Sequence, residues 1–97
     1  MSAADTPPPL RIVLFREAQG WLAQGLEHDV GVQASNLKEL MLRLGLALDR
    51  HAAHGELAAL PPAPHYFQVL WPLGAGAFVP EAFATSAPVS ARFTLVA

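Results

Sequence analysis

The sequence predicts an α+β domain, an antiparallel sheet with one amphipathic helix packed on it, in the order β-β-β-α-β with material for one further strand. Three observations carry this. Apolar residues alternate with a period of two from Leu10 to about Ala34, the period lengthens to 3.6 at Asn36, and after Glu56 the helical period is lost among prolines.

The first run, LRIVLFRE, sets Leu10, Ile12 and Leu14 on one side and Arg11, Val13 and Phe15 on the other. Its β-branched and aromatic bias suits a strand, and both of its faces are apolar enough to need cover. Glu17-Ala18-Gln19-Gly20 is a short connection and WLAQGLE resumes the extended pattern, so the two runs read as a hairpin. Val30-Gly31-Val32-Gln33-Ala34 follows as a third strand. Glu27-His28-Asp29 is then the turn between strands two and three. Polar side chains in turns bond their own backbone and stay hydrated, whereas acid–base chemistry needs groups converging in a pocket, and the sequence offers none nearby.

Asn36 is a good N-cap, and Glu39, three residues on, completes a capping box. The helix runs to about Ala53 and Gly55 ends it. At about 100° per residue, Leu37, Leu40, Met41, Leu44, Leu48 and Ala52 form the core stripe. Leu42, Leu46 and Ala53 fall on the opposite side, between Lys38 and Asp49 on one edge and Glu39, Arg43 and Arg50 on the other. Two readings stand: scattered surface leucines, or a patch covered by the C-terminal segment or by a second subunit. A helix with solvent behind it has no need of two leucines there.

From Glu56 onward lie six of the nine prolines and only three charged residues, Glu56, Glu81 and Arg92. His65 to Trp71 reads as a strand stopped by Pro72, Leu73 to Ala77 as a flexible turn, and Val89 to Val96 as a last strand with Val89, Ala91, Phe93 and Leu95 on one face. Residues 1–9, ending in three prolines, read as a flexible lead-in to a single domain over 10–97.

Ninety-seven residues suit one domain. A formal charge of −2, from six Lys and Arg against eight Asp and Glu, argues against direct nucleic-acid binding. With 53% hydrophobic and 14% charged residues, the chain has more apolar surface than its length easily hides, which points to a partner or a homodimer. There is no cysteine, hence no disulfide, thiolate metal site or cysteine nucleophile. The N-terminus lacks a basic region before an apolar core, and no apolar run approaches a bilayer span, so a cytoplasmic location with no membrane contact is expected.

His51 and His54 lie one helical turn apart, with Asp49 and His65 as conceivable further ligands. Asp49 points away from His51 on the wheel, and a helix-end histidine beside terminal carbonyls is the commoner case. Leu73-Gly74-Ala75-Gly76 lacks the third glycine and the helix of a nucleotide loop, and Ser86 and Ser90 lack a nucleophile elbow. No cofactor or metal is expected. Trp21, Phe67, Trp71 and Phe93, the large aromatics of the expected strands, belong mostly to the core. A sheet with one helix leaves one face bare, and aromatics there suit a binding surface.

From Leu10 to about Arg50 the chain resembles the N-terminal domain of HicB-like antitoxins. LRIVLFRE, then Gly20-Trp21-Leu22-Ala23 with Leu26-Glu27 at the following turn, then Asn36-Leu37-Lys38-Glu39 at the helix start, match that family in order and spacing over roughly 40 residues. The resemblance implies a partial double-stranded-RNA-binding-like fold, commonly dimeric, and neutralisation of a small HicA-like ribonuclease by masking its active site. Paired antitoxins usually add a DNA-binding module with at least two helices. The proline-broken segment from Glu56 has no such pattern, so operator binding is not expected.

The resulting expectation is a non-enzymatic HicB-like interaction module. Leu42 and Leu46 would mark the self-association or partner surface, Glu27 and Asp29 the contacts to a basic ribonuclease, and Trp71 and Phe93 the exposed sheet face. The alternative is a stand-alone domain, either orphaned or enclosing a small apolar ligand between sheet and tail.

Overall fold

The computed structural model describes residues 9–86 and 89–96, so the lead-in over 1–8 lies outside the described residues. The chain is an α+β domain: a four-stranded mixed sheet in the order β3-β2-β1-β4 with a helix packed against it. The strands are β1 (Leu10–Glu17), β2 (Gly20–Gly25), β3 (Gly31–Ala34) and β4 (Ala91–Val96), and the helix α1 spans Leu37–Ala53.

β1 and β2 pair antiparallel with Glu17 opposite Gly20, which leaves Ala18 and Gln19 as a two-residue loop. β2 and β3 also pair antiparallel, from Trp21 opposite Ala34 to Gln24 opposite Gly31. β4 departs from the antiparallel expectation. It runs parallel to β1, from Leu10 beside Ala91 to Phe15 beside Val96. With β2 on one side of β1, the free edge is on the other, and a strand that returns after a long crossover can dock there in parallel. β1 thereby becomes an inner strand covered on both faces, which is why it is apolar at nearly every position. Ile12, Val13 and Leu14 are all buried.

α1 lies on the face formed by Leu10, Ile12, Leu14, Ala23, Ala91 and Phe93, to which it contributes Leu40, Met41, Leu44 and Leu48. Its start is capped as the sequence implies: the Asn36 side chain accepts a 2.8 Å bond from the Glu39 backbone N–H. The reciprocal half of the box is absent, because the Glu39 carboxylate turns to Arg43, 2.7 Å away. At the other end Gly55 adopts φ +66°, and the Glu56 and Gly55 N–H groups return to the carbonyls of His51 and Ala52 at 2.8 and 3.0 Å. This is a Schellman closure, and its left-handed residue is glycine because a side chain is strained there. Leu37, expected in the core stripe, remains exposed at the first helical position.

The segment from His65 to Trp71 is not a strand. It forms a single helical turn, α2 (His65–Gln68), followed by a 3-10 turn over Trp71–Leu73. Pro64 opens the turn, and the residues that face inward are Phe67, Leu70 and Trp71, a helical spacing rather than an alternation. They pack on Val13, Leu26 and Ala63, and so cover the second face of the sheet over β1. Backbone and side-chain bonds hold the segment down: Ala63 N–H and Gln68 Nε2 both donate to the Leu26 carbonyl, at 2.9 and 2.8 Å, and Asp29 N–H donates to Pro61 at 2.7 Å.

The chain then covers the outer edge of β4. Phe78 and Phe93 exchange two backbone hydrogen bonds of 2.8 Å, and Ala75 N–H donates to the Leu95 carbonyl at 3.1 Å. Such cover blunts an edge that would otherwise be open to strand addition. Farther on, Phe83 sets its ring edge-on to Phe93 at 5.0 Å, and the segment crosses α1 at Gly45, where a Cβ would overlap the Ala84 carbonyl oxygen. The Asp49 carboxylate fastens this strap by accepting from the Ser86 N–H at 2.8 Å and from the Thr85 hydroxyl.

Gly45→Ala tests the strap. Alanine is better than glycine in a helix interior by about 1 kcal/mol, yet its methyl meets backbone, and overpacking of this kind costs about 1–3 kcal/mol. The expected result is a net loss of about 1 kcal/mol in denaturant unfolding, with faster proteolysis between residues 80 and 86. A gain equal to the full helix preference would mean that the strap does not lie on the helix.

Candidate interaction surface

The turn between β2 and β3 is a structural joint. Glu27 accepts from the Arg11 backbone N–H at 2.7 Å and from Arg11 Nε at 2.5 Å, so both of its oxygens are engaged within the chain. The guanidinium of Arg11 also lies over the Trp71 ring, 5.6 Å from its centre. Glu27, Arg11 and Trp71 thus couple the turn, the central strand and the second layer. Asp29 is exposed and accepts from Gln24 Nε2 at 2.8 Å through one of its oxygens. His28 places Nδ1 3.3 Å from the Leu60 carbonyl.

Beside this joint runs an open groove of about 480 Å³ lined by Arg11, Leu26, Glu27, Pro62, His65 and Gln68. Its one carboxylate and its guanidinium already satisfy each other, and its other titratable side chain is the exposed His65. His51 sits 3.6 Å from the Glu56 carboxylate at the end of α1, where basic side chains complement the helix terminus. Asp49 belongs to the strap. No group of three or more His, Asp or Glu among the described residues is placed to hold a metal, and no helix there is long and apolar enough to cross a membrane.

Of the aromatics expected at a surface, Phe93 is wholly buried, beneath α1 and against Phe83. It is a core residue, because β4 turns its Ala91–Phe93 face toward the helix rather than toward solvent. Trp71 is half-buried in the second layer.

The apolar excess that remains outside is specific. Leu42 and Leu46 project from the back of α1 at 62% and 57% exposure, where the helical wheel places them. The strap covers only the neighbouring edge of the helix, at Gly45 and Asp49. On the opposite layer, Tyr66 and Leu73 are 65% and 68% exposed, with Val69 between them at 44%. These three were not singled out from sequence. Their signal is there in retrospect, since residues three and four apart after Pro64 alternate between the half-buried set Phe67, Leu70 and Trp71 and this outer set.

Fold and surface together define a small α+β domain whose sheet is covered by α1 on one face and by residues 61–73 over β1 on the other, and whose outer surface keeps exposed apolar side chains on α1, on the second layer and at Val79. No family model, no curated protein and no solved structure matches the chain.

Proposed function

We propose that the chain is a non-enzymatic, cytoplasmic interaction module of the HicB-like kind, which neutralises a small HicA-like ribonuclease by occluding it and lacks a DNA-binding module of its own. The observation that carries the reading is the apolar surface left after folding: Leu42, Leu46, Tyr66, Leu73 and Val79 are each more than half exposed although the chain covers β1 on both faces. Surface of that kind is where folded proteins receive other proteins. The strand, strand, strand, helix order over Leu10–Ala53 supports the resemblance from which the ribonuclease follows.

Occlusion here is steric, by a rigid platform. The acidic contribution to a basic partner falls to Asp29, since Glu27 is spent on Arg11. The alternative of a small apolar ligand between sheet and tail has only the open groove beside the β2–β3 turn to occupy, because elsewhere the tail lies directly on Val13 and Leu26.

The test is co-expression with a HicA-like ribonuclease encoded beside this chain's gene, with RNA cleavage and complex formation as readouts. The expected result is a stable complex, suppressed cleavage, and loss of both with Tyr66→Glu combined with Leu73→Glu. Undiminished cleavage in the presence of excess folded chain overturns the proposal.

A further inference from the structure

The back of α1 carries two leucines that stay exposed in the folded chain. Leu42 and Leu46 form a ridge, with Lys38 and Asp49 along one side and Glu39 and Arg50 along the other. Both leucines are more than half exposed. Lys38 and Arg50 have no ion-pair partner among the described residues. The strap runs past the ridge on the side of Asp49 and leaves it open.

We infer that this ridge docks on the same ridge of a second copy of the chain, with the two helices antiparallel. The order of charges selects that occupant. At a rise of about 1.5 Å per residue, a two-fold axis level with Leu44 sets Leu42 of one copy at the same height as Leu46 of the other. The same register brings Glu39 to within about 1.5 Å in height of Arg50 of the second copy, and Lys38 equally close to Asp49. Such an axis keeps each flank on its own side, so both flanks set acid against base, and each unpartnered cation gains a carboxylate. Glu39 keeps Arg43 and Asp49 keeps the strap, since an ionised carboxylate has about four acceptor sites. Side by side and antiparallel, the helix dipoles also attract.

The interface is small. A helix face of 17 residues is about 25 Å long, and with its flanks it covers less than the roughly 800 Å² per partner of a standard interface. The pairing is therefore a concentration-dependent monomer–dimer equilibrium, and it does not depend on the ribonuclease reading.

The absence of cysteine from the chain makes cross-linking a clean test. Leu42→Cys and Leu46→Cys chains, mixed and mildly oxidised, are expected to form a covalent dimer, and each alone is expected to form little. In the antiparallel register identical positions are offset by about 6 Å along the axis, too far for a relaxed disulfide across two helices. Efficient cross-linking of either chain alone indicates a parallel arrangement and overturns the inference. By sedimentation the wild-type mass is expected to rise with concentration, while Leu42→Glu with Leu46→Glu stays a monomer of unchanged circular dichroism. Glu39→Arg is expected to weaken the dimer and Glu39→Arg with Arg50→Glu to restore it. A wild type that remains monomeric throughout the series, with no mixed cross-link, overturns the inference outright.

Discussion

Replacing Phe93 with alanine is expected to remove about 3–5 kcal/mol of folding free energy, the largest loss of any single truncation on the α1 face. The ring is fully buried where β4, α1 and the strap meet, with Phe83 edge-on at 5.0 Å and Phe78 at 6.4 Å. Truncation forfeits both the transfer of the ring from water and the contacts around the space it leaves, since α1 cannot settle inward without tearing β4 from β1. Domains of this size have only about 5–15 kcal/mol in hand, so the variant sits near the edge of folding at room temperature. The measurement is denaturant unfolding followed by tryptophan fluorescence, with Leu95→Ala as a control on the same strand. Leu95 is 38% exposed, and its truncation is expected to cost far less. A Phe93→Ala protein as stable as the control would mean that this residue faces a surface and that β4 is turned the other way.

Much of the architecture is legible in the sequence where local chemistry decides it. The alternation of LRIVLFRE, the short connection at Glu17 to Gly20, the Asn36 cap and the Gly55 stop all depend on residues within a few positions of one another, and the chain adopts each of them. The exposure of Leu42 and Leu46 is legible for the same reason, because a helical wheel needs no knowledge of the partner element. What pairing decides is not legible. Whether β4 adds in parallel or antiparallel depends on which edge of the sheet is free and on the path of the crossover, and whether Phe93 points in or out depends on that register.

HYFQVLW is a second kind of miss. Its apolar residues satisfy a period of two and a helical spacing almost equally well, and only Pro64 ahead and the availability of the sheet's second face choose the helical turn. Glu27 is a third. The residues around it announce a turn, while its partner Arg11 lies sixteen positions away and is brought to it only by the pairing of β1 with β2.

The second layer can be weighed directly. Leu26→Ala is expected to cost about 2–5 kcal/mol, although Leu26 lies just past the end of β2, next to the turn. The side chain is wholly buried among Val13, Ala63 and the inward set Phe67, Leu70 and Trp71. The Leu26 carbonyl is also the shared acceptor for Ala63 N–H and Gln68 Nε2. Truncation spares those bonds, so the loss reports packing between sheet and cover. Because the cover is a single helical turn with prolines at both ends, it has little stability apart from the sheet and is expected to lift off first. The variant should therefore show accelerated proteolysis within residues 61–73 and a fall in unfolding free energy, with the Arg11 and Glu27 pair still closing the turn. A loss below about 1 kcal/mol, typical of an exposed position, would mean that residues 61–73 do not lie on the sheet. The face of Val13 and Phe15 would then be open to a partner, and the surface for the ribonuclease would move from the outside of α2 to the sheet itself.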